Sequence, residues 1–269
     1  MKKYKLGFLG AGKMGSSILN GVISSKIYKK EEILIYDTNE MIKNIFKDQG
    51  FTFSSDEIDL FKQSEIVILA IKPQMFNALK EKIKDEKFDC LVVSIAAGIT
   101  ISRLKEMFGN IKCIRVMPNT PALIGKATTV LTKDDLVNDD EFDVVEKIFQ
   151  SIGVTSVITE DKMNEIIPLN GSMPAYLYYF AEAFIENGVK NGIDIETCKT
   201  LVVNSIIGSA EMILKANKPT GELIKDVCSP GGTTLAGLDV LKENDFKETI
   251  DKAADACIKR AYELANINK

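Results

Sequence analysis

The amino-acid sequence predicts an α/β protein in two parts. Short apolar strand-like runs alternate with helices as far as residue 159, and helical periodicity alone continues from residue 160 to residue 269. The first half is rich in β-branched runs without polar alternation, the pattern of a mostly parallel sheet covered by helices on both faces. Its strands are expected at 4–9, 33–36, 65–71, 90–96, 112–117, 127–131 and 154–158. Helices are expected at 16–25, 74–84 and 100–108, with Thr100 capping the last. Asn138-Asp139-Asp140-Glu141 reads as a helix start whose carboxylates face the positive end of the dipole.

In the second half, Pro174 suits the first turn of a helix reaching about residue 187, and Asp194 is placed to cap another that ends near residue 216. Further helices are expected at 234–242 and 245–265. Within the Asp194 helix, Cys198, Ser205, Gly208 and Ser209 stand among Leu201, Val202, Ile206 and Ile213, which favours close helix contact. Several of these helices are apolar over much of their circumference. A second copy of the chain is the natural cover, so a homodimer is expected.

The strand at 4–9 runs straight into Gly10-x-Gly12-x-x-Gly15 with a helix behind it. That order is what a Rossmann dinucleotide-binding domain requires. Gly10 permits a tight turn, Gly12 lets backbone approach a pyrophosphate, and Gly15 lets the helix pack on the strand, while the helix N-terminus offers N–H groups to the anion. Asp37, at the end of the second strand, follows Gly15 by roughly the 20 residues at which a carboxylate can accept hydrogen bonds from an adenosine ribose. The expected domains are therefore a dinucleotide-binding domain over 1–159 and an all-helical substrate-binding and dimerisation domain over 160–269.

Composition narrows the chemistry. The chain is 45% hydrophobic and 27% charged, with a net charge of −4. That charge disfavours nucleic acid as a partner. Met1-Lys2-Lys3 lead directly into the first strand and no apolar run matches a bilayer's thickness, so no signal peptide and no membrane partner are expected, and the location is expected to be cytoplasmic. Cys90, Cys113, Cys198, Cys228 and Cys257 are scattered without a Cys-x-x-Cys pair and read as ordinary thiols. No metal site is expected. The chain has no histidine, which excludes alcohol dehydrogenases with a histidine base. Reduction of a carbon–nitrogen double bond fits better, because a protonated iminium already carries its proton.

In an open parallel sheet, ligands bind beyond the carboxyl ends of the strands. Three segments besides the glycine loop fall there: Ala70-Ile71-Lys72-Pro73, the stretch around Ala96-Ala97-Gly98, and Met117-Pro118-Asn119-Thr120-Pro121-Ala122. Small residues leave room for a flat nicotinamide ring, and the Asn119 amide offers both a donor and an acceptor. In the helical half, Cys228-Ser229-Pro230-Gly231-Gly232-Thr233-Thr234 places two glycines and two threonines at a helix start, a cradle for a carboxylate.

These strings resemble those of the pyrroline-5-carboxylate reductase family, and the resemblance covers essentially the whole chain. Met117-Pro118-Asn119-Thr120-Pro121, Ser229-Pro230-Gly231-Gly232-Thr233-Thr234, Ala70-Ile71-Lys72-Pro73-Gln74 and the glycine motif carry it. The family reduces 1-pyrroline-5-carboxylate to L-proline with NADPH or NADH, the last step of proline biosynthesis. Its members pair a Rossmann domain with a helical dimerisation domain, and some dimers assemble into decamers. The resemblance implies that backbone amides around Gly232 and Thr233, together with Ser229 and Gly231 just before them, hold the substrate carboxylate, and that the Thr234 hydroxyl bonds the ring nitrogen as the catalytic group. It implies coenzyme contacts from Leu9, Gly10, Ala11, Gly12, Lys13 and Met14, from Ala70 to Pro73, and from Ile95, Ala96 and Ala97. Glu160 matches a family position near the substrate, with a plain helix-start carboxylate as the other reading.

Two departures stand out. Met173 replaces a family glycine ahead of Pro174, which bears on substrate range. Asp37 puts a carboxylate where a 2′-phosphate would sit, so among NAD(P)H coenzymes NADH is expected to be preferred. Other readings stay open: a related cyclic-imine reductase, a β-hydroxyacid-type dehydrogenase using Lys162 or Lys190, or a nucleotide-sensing protein without turnover.

Overall fold

The computed structural model describes residues 2–267, with side chains as far as Glu263; Met1 and the last two residues of the expected helical part lie outside them. The strands are β1 (Tyr4–Leu9), β2 (Ile33–Tyr36), β3 (Thr52–Phe53), β4 (Ser64–Leu69), β5 (Leu91–Ser94), β6 (Cys113–Pro118), β7 (Ala127–Lys133) and β8 (Gly153–Val157). They form one sheet in the order β3-β2-β1-β4-β5-β6-β7-β8. Every neighbouring pair is parallel except β6 with β7, whose short connection through Thr120–Ile124 allows only a reversal. The order changes direction between β1 and β4, which is where a doubly wound sheet opens a crevice. The two residues of β3 are too few to carry a periodic signal, and sequence reasoning missed that strand.

Six helices accompany the strands: α1 (Lys13–Ser24), α2 (Glu40–Asp48), α3 (Glu57–Gln63), α4 (Phe76–Ile83), α5 (Ile101–Phe108) and α6 (Asp139–Gln150). Side chains start most of them. Asn39 accepts the Met41 N–H, Asp56 accepts the Asp59 N–H, and Thr100 accepts the Arg103 N–H. Asn138 and Glu141 close a reciprocal capping box on α6. α1 is different: Gly12 opens it with no side-chain cap, so the helix begins inside the glycine motif rather than after it.

Alternate strand residues feed two cores. On β4, Ile66 and Ile68 pack on one face with Ile18 and Val145, while Val67 and Leu69 pack on the other with Phe61 and Leu104. Each such side chain contributes about 1.5–3 kcal/mol by leaving water, and burial on both faces is why these strands show no polar alternation.

Packing divides the chain into two compact units, one reaching Pro174 and resuming at Ile258, the other Ala175–Cys257. The first unit thus runs beyond the expected boundary at 159/160. Residues 163–172 are turns rather than helix, following the short 3-10 turn Glu160–Lys162, and Met163 is buried against Met117 and Val130 on the sheet. The remaining helices are α7 (Met173–Lys190), α8 (Ile195–Lys215), α9 (Thr220–Val227), α10 (Thr233–Glu243) and α11 (Phe246–Ile267). Pro174 sits in the first turn of α7, and the Asp194 carboxylate caps α8 through the Glu196 and Thr197 N–H groups. α9 was not anticipated.

Small residues bring α7 and α8 together at one point, where a Cβ on Gly188 would lie 2.5 Å from the Cys198 Sγ. Ser205, Gly208 and Ser209 instead line an open groove of about 670 Å³ with residues of α9 and α10, against the close packing expected of them. Leu201, Ile207, Met212, Leu214 and Val227 are exposed apolar side chains of the same unit. Among the described residues, no helix is long and apolar enough to cross a membrane.

Candidate active site

The glycine loop at the end of β1 shows why three glycines are needed. Gly10 has φ of +93°, and a Cβ there would lie 2.8 Å from the Ala70 carbonyl oxygen. A Cβ on Gly15 would lie 2.5 Å from the Gly10 carbonyl oxygen, so the first turn of α1 rests directly on the loop. Around Gly12 no atom comes within 4 Å of that position. Space thus stays open outside Gly12, at a helix start whose first N–H groups have no side-chain cap.

Asp37 is buried, at 9% exposure, and both of its oxygens are engaged. Oδ2 accepts the Ala11 N–H at 2.7 Å and Oδ1 accepts the Asn39 N–H at 2.8 Å. The carboxylate thus fastens the glycine loop to the end of β2. It also borders a cavity of about 500 Å³ that opens over the carboxyl ends of β1, β2 and β4, with Leu9, Gly10, Gly12, Ala70, Ile71 and Lys72 around it. These are seven of the residues assigned from sequence, gathered from three separate strand ends.

The same cavity holds residues that sequence reasoning missed: Tyr36, Thr38, Asn39, Ile42, Glu57, Met75, Ala78, Leu79 and Lys82. Their positions follow from α2, α3 and α4 starting or running beside the crevice. Only the placement of Tyr36, Thr38 and Asn39 around Asp37 offered a sequence signal. The Glu57 carboxylate accepts from the Lys82 ammonium at 2.6 Å, and this bond holds the lysine above its ordinary pKa. Burial first, and then Glu57, push the Tyr36 hydroxyl above its ordinary value as well.

Other assigned residues lie outside the cavity wall. Lys13, Met14 and Gly15 form the first turn of α1, with Met14 packed on the core. Pro73 opens a short 3-10 turn, and Ile95, Ala96 and Ala97 follow β5 with Ala96 buried.

Asn119 is bonded within the protein. Its amide nitrogen donates to the Thr128 hydroxyl and the Asn170 carbonyl, at 2.9 and 3.2 Å, and its oxygen accepts the Thr128 N–H at 3.0 Å. Both donors are spent inside the protein, leaving no amide proton for a coenzyme. Asn170 in turn donates to the Met117 carbonyl at 2.7 Å and accepts from the Thr128 hydroxyl. This buried network ties the segment after β6 to the turn before α7.

One oxygen of Glu160 is engaged within the protein, while Oε2 is buried with no hydrogen-bond partner among the described residues. Oε1 accepts from Arg115 at 3.1 Å and from the Ile101 N–H at 3.2 Å. Arg115 is 2% exposed, on a sheet strand, and a buried guanidinium requires such a partner. Sequence had no means of pairing these two residues.

In the helical unit, the loop before α10 has the geometry of a cradle. Gly231 takes φ of +69°, and a Cβ on Gly232 would lie 2.4 Å from the Ser229 Oγ. The Gly232 N–H bonds the Ser229 carbonyl at 2.9 Å, closing the turn. Gly232 then caps α10 without a side-chain hydrogen bond, and Thr233 and Thr234 follow in the first turn, both exposed. Thr234 reaches the groove described above. Among the described residues no cluster of three or more cysteine or acidic side chains forms a metal site.

The glycine loop, open at Gly12 and bordered by a cavity of dinucleotide dimensions, fits a dinucleotide pyrophosphate. Comparison with known proteins agrees. Residues 160–264 match the family model for pyrroline-5-carboxylate reductase dimerisation, and residues 5–98 match that for coenzyme F420-dependent NADP oxidoreductases. Pyrroline-5-carboxylate reductase of Pisum sativum is 35% identical over 97% of this chain and 96% of its own length. The Escherichia coli enzyme is 34% identical over 97% and 98%. Among solved structures, the Plasmodium falciparum pyrroline carboxylate reductase with NADP bound superposes with a TM-score of 0.88, at 34% identity, covering 98% of this chain and 99% of that one. The chain belongs to the pyrroline-5-carboxylate reductase family, and it is an oxidoreductase of that family.

Proposed function

We propose that this protein reduces 1-pyrroline-5-carboxylate to L-proline with NAD(P)H, the last step of proline biosynthesis. The observation that carries the reading is the Ser229–Thr234 loop, an uncapped helix start closed by Gly232 on Ser229 and kept clear of side chains at Gly231. The free N–H groups of the first turn of α10 hold the substrate carboxylate, with the helix dipole in their favour. The Thr234 hydroxyl bonds the ring nitrogen; it orients the imine and stabilises the nitrogen as it becomes an amine, and no general base is needed.

Leu9, Gly10, Gly12, Lys13 and Met14 form the coenzyme's phosphate cradle, and Ala70, Ile71, Lys72 and Pro73 border it. Ile95, Ala96 and Ala97 supply the small-residue surface for the nicotinamide. When bound, the reduced coenzyme supplies the hydride. Asp37 favours NADH, by placing negative charge where a 2′-phosphate would lie. The working unit is a homodimer covering the exposed apolar side chains of the helical unit, with further assembly to a decamer within the family's range. The enzyme works in the cytoplasm on a small molecule, with neither nucleic acid nor membrane as partner.

The test is the loss of NADH absorbance on adding pyrroline-5-carboxylate, run beside its six-membered homologue and beside NADPH. Turnover of the five-membered imine is the expected result. Failure to consume NADH or NADPH with either imine rejects the reading.

A further inference from the structure

Two carboxylates border the cavity beside the glycine loop, and they are in different states. Asp37 is held by two backbone N–H groups, those of Ala11 and Asn39. Glu57 stands at the first position of α3, accepts no backbone N–H among the described bonds, and meets only side chains. Its partner Lys82 comes from the last turn of α4, and both residues line the cavity. The pair is made of residues far apart in sequence, and neither belongs to the glycine motif.

An exposed lysine beside the adenosine end of a dinucleotide cavity is the residue a 2′-phosphate would use. Here its charge is already taken. The Lys82 Nζ lies 2.6 Å from the Glu57 Oε1, and the Glu57 side chain is only 13% exposed, so the bond is partly shielded from water and salt. A 2′-phosphate entering this wall would meet two carboxylates and two lysines, Lys72 beyond the end of β4 and Lys82, which must first leave Glu57.

We propose that the Glu57–Lys82 ion pair, more than Asp37, sets the discrimination against a 2′-phosphorylated coenzyme in this protein. The inference rests on the coenzyme reading above and assigns the selectivity to a second feature, a side-chain ion pair. Asp37 serves mainly to hold the loop that both coenzymes share. Removing the Glu57 charge then releases Lys82 to pair with a 2′-phosphate, whereas removing Asp37 weakens both coenzymes and shifts their ratio less.

Equilibrium titration of NADH and NADPH, without imine, tests this on the whole protein and on Glu57→Gln, Lys82→Met, the double variant and Asp37→Ser, with thermal melts confirming folding. The ratio of NADPH to NADH dissociation constants is expected to fall by about tenfold in Glu57→Gln, through tighter NADPH, and to return towards the parent value in the double variant. Asp37→Ser is expected to weaken both coenzymes and to change their ratio less than Glu57→Gln does. A Glu57→Gln ratio within about twofold of the parent, or a double variant that keeps the gain, overturns the proposal while leaving the coenzyme reading standing. If the unaltered protein binds neither dinucleotide, the coenzyme reading fails and this inference falls with it.

Discussion

The Asp37 carboxylate accepts the Ala11 N–H at 2.7 Å, binding the end of β2 to the turn that leaves β1. One residue therefore both borders the coenzyme cavity and holds its glycine loop in shape. A substitution there acts on the protein as well as on the ligand.

Asp37→Ala leaves a buried backbone N–H without its acceptor, a cost of about 1–3 kcal/mol. Chemical denaturation is expected to show that loss, and dinucleotide titration a weakening with either coenzyme. Full stability in the variant would show that the Ala11 bond carries no weight.

Gly12 and Gly15 separate binding from folding. Gly15→Ala sets a methyl group 2.5 Å from the Gly10 carbonyl, and the melting temperature is expected to drop sharply. Gly12→Ala meets nothing within 4 Å, so stability is expected to hold while dinucleotide affinity falls by about tenfold or more as the methyl group blocks the pyrophosphate. Unchanged affinity in Gly12→Ala would move the phosphate site elsewhere.

Glu160→Ala strands the Arg115 guanidinium, which is 2% exposed, leaving the Asn164 side-chain amide oxygen at 3.5 Å as its partner among the described bonds. A loss of about 3 kcal/mol is expected, the cost of an unpaired buried charge. In Glu160→Gln the loss is smaller, and KM for the imine stays near its parent value. A large rise in KM with unaltered stability would return Glu160 to the substrate.

Thr234→Ala removes an exposed hydroxyl at the start of α10, where no structural bond depends on it. Turnover is expected to fall by about a hundredfold with dinucleotide affinity nearly unchanged. Proline formation at full rate would show that the hydroxyl has no part in the reaction.

The buried thiols contribute to a loss of stability at alkaline pH. Burial pushes Cys90 and Cys113 up to about 12 from an ordinary value of 9.0. Their folded-state values are the raised ones, so the folded protein binds more protons than the unfolded chain between those limits. Stability is full below about pH 9 and is lost progressively as pH rises towards 12. Melting curves between pH 8 and 11 check the sign, and replacing both residues with alanine is expected to flatten the decline.

Much of this protein was legible in its residues taken in order. The strand–glycine–helix opening, the apolar runs of β4 and β5, Thr100, Asn138 and Asp194 as caps, and Pro174 in a first turn all depend on neighbours within a few positions, and local chemistry decides them. The Ser229–Thr234 turn was visible for the same reason. What only the tertiary structure decided is which distant residues meet. Arg115 with Glu160, Glu57 with Lys82, and Asn119 with Asn170 are pairs that no spacing foretells, because sheet order and helix packing bring them together. Asn119 shows the limit most plainly: its amide can bond a ligand or the protein, and only the folded chain brings Thr128 and Asn170 within its reach.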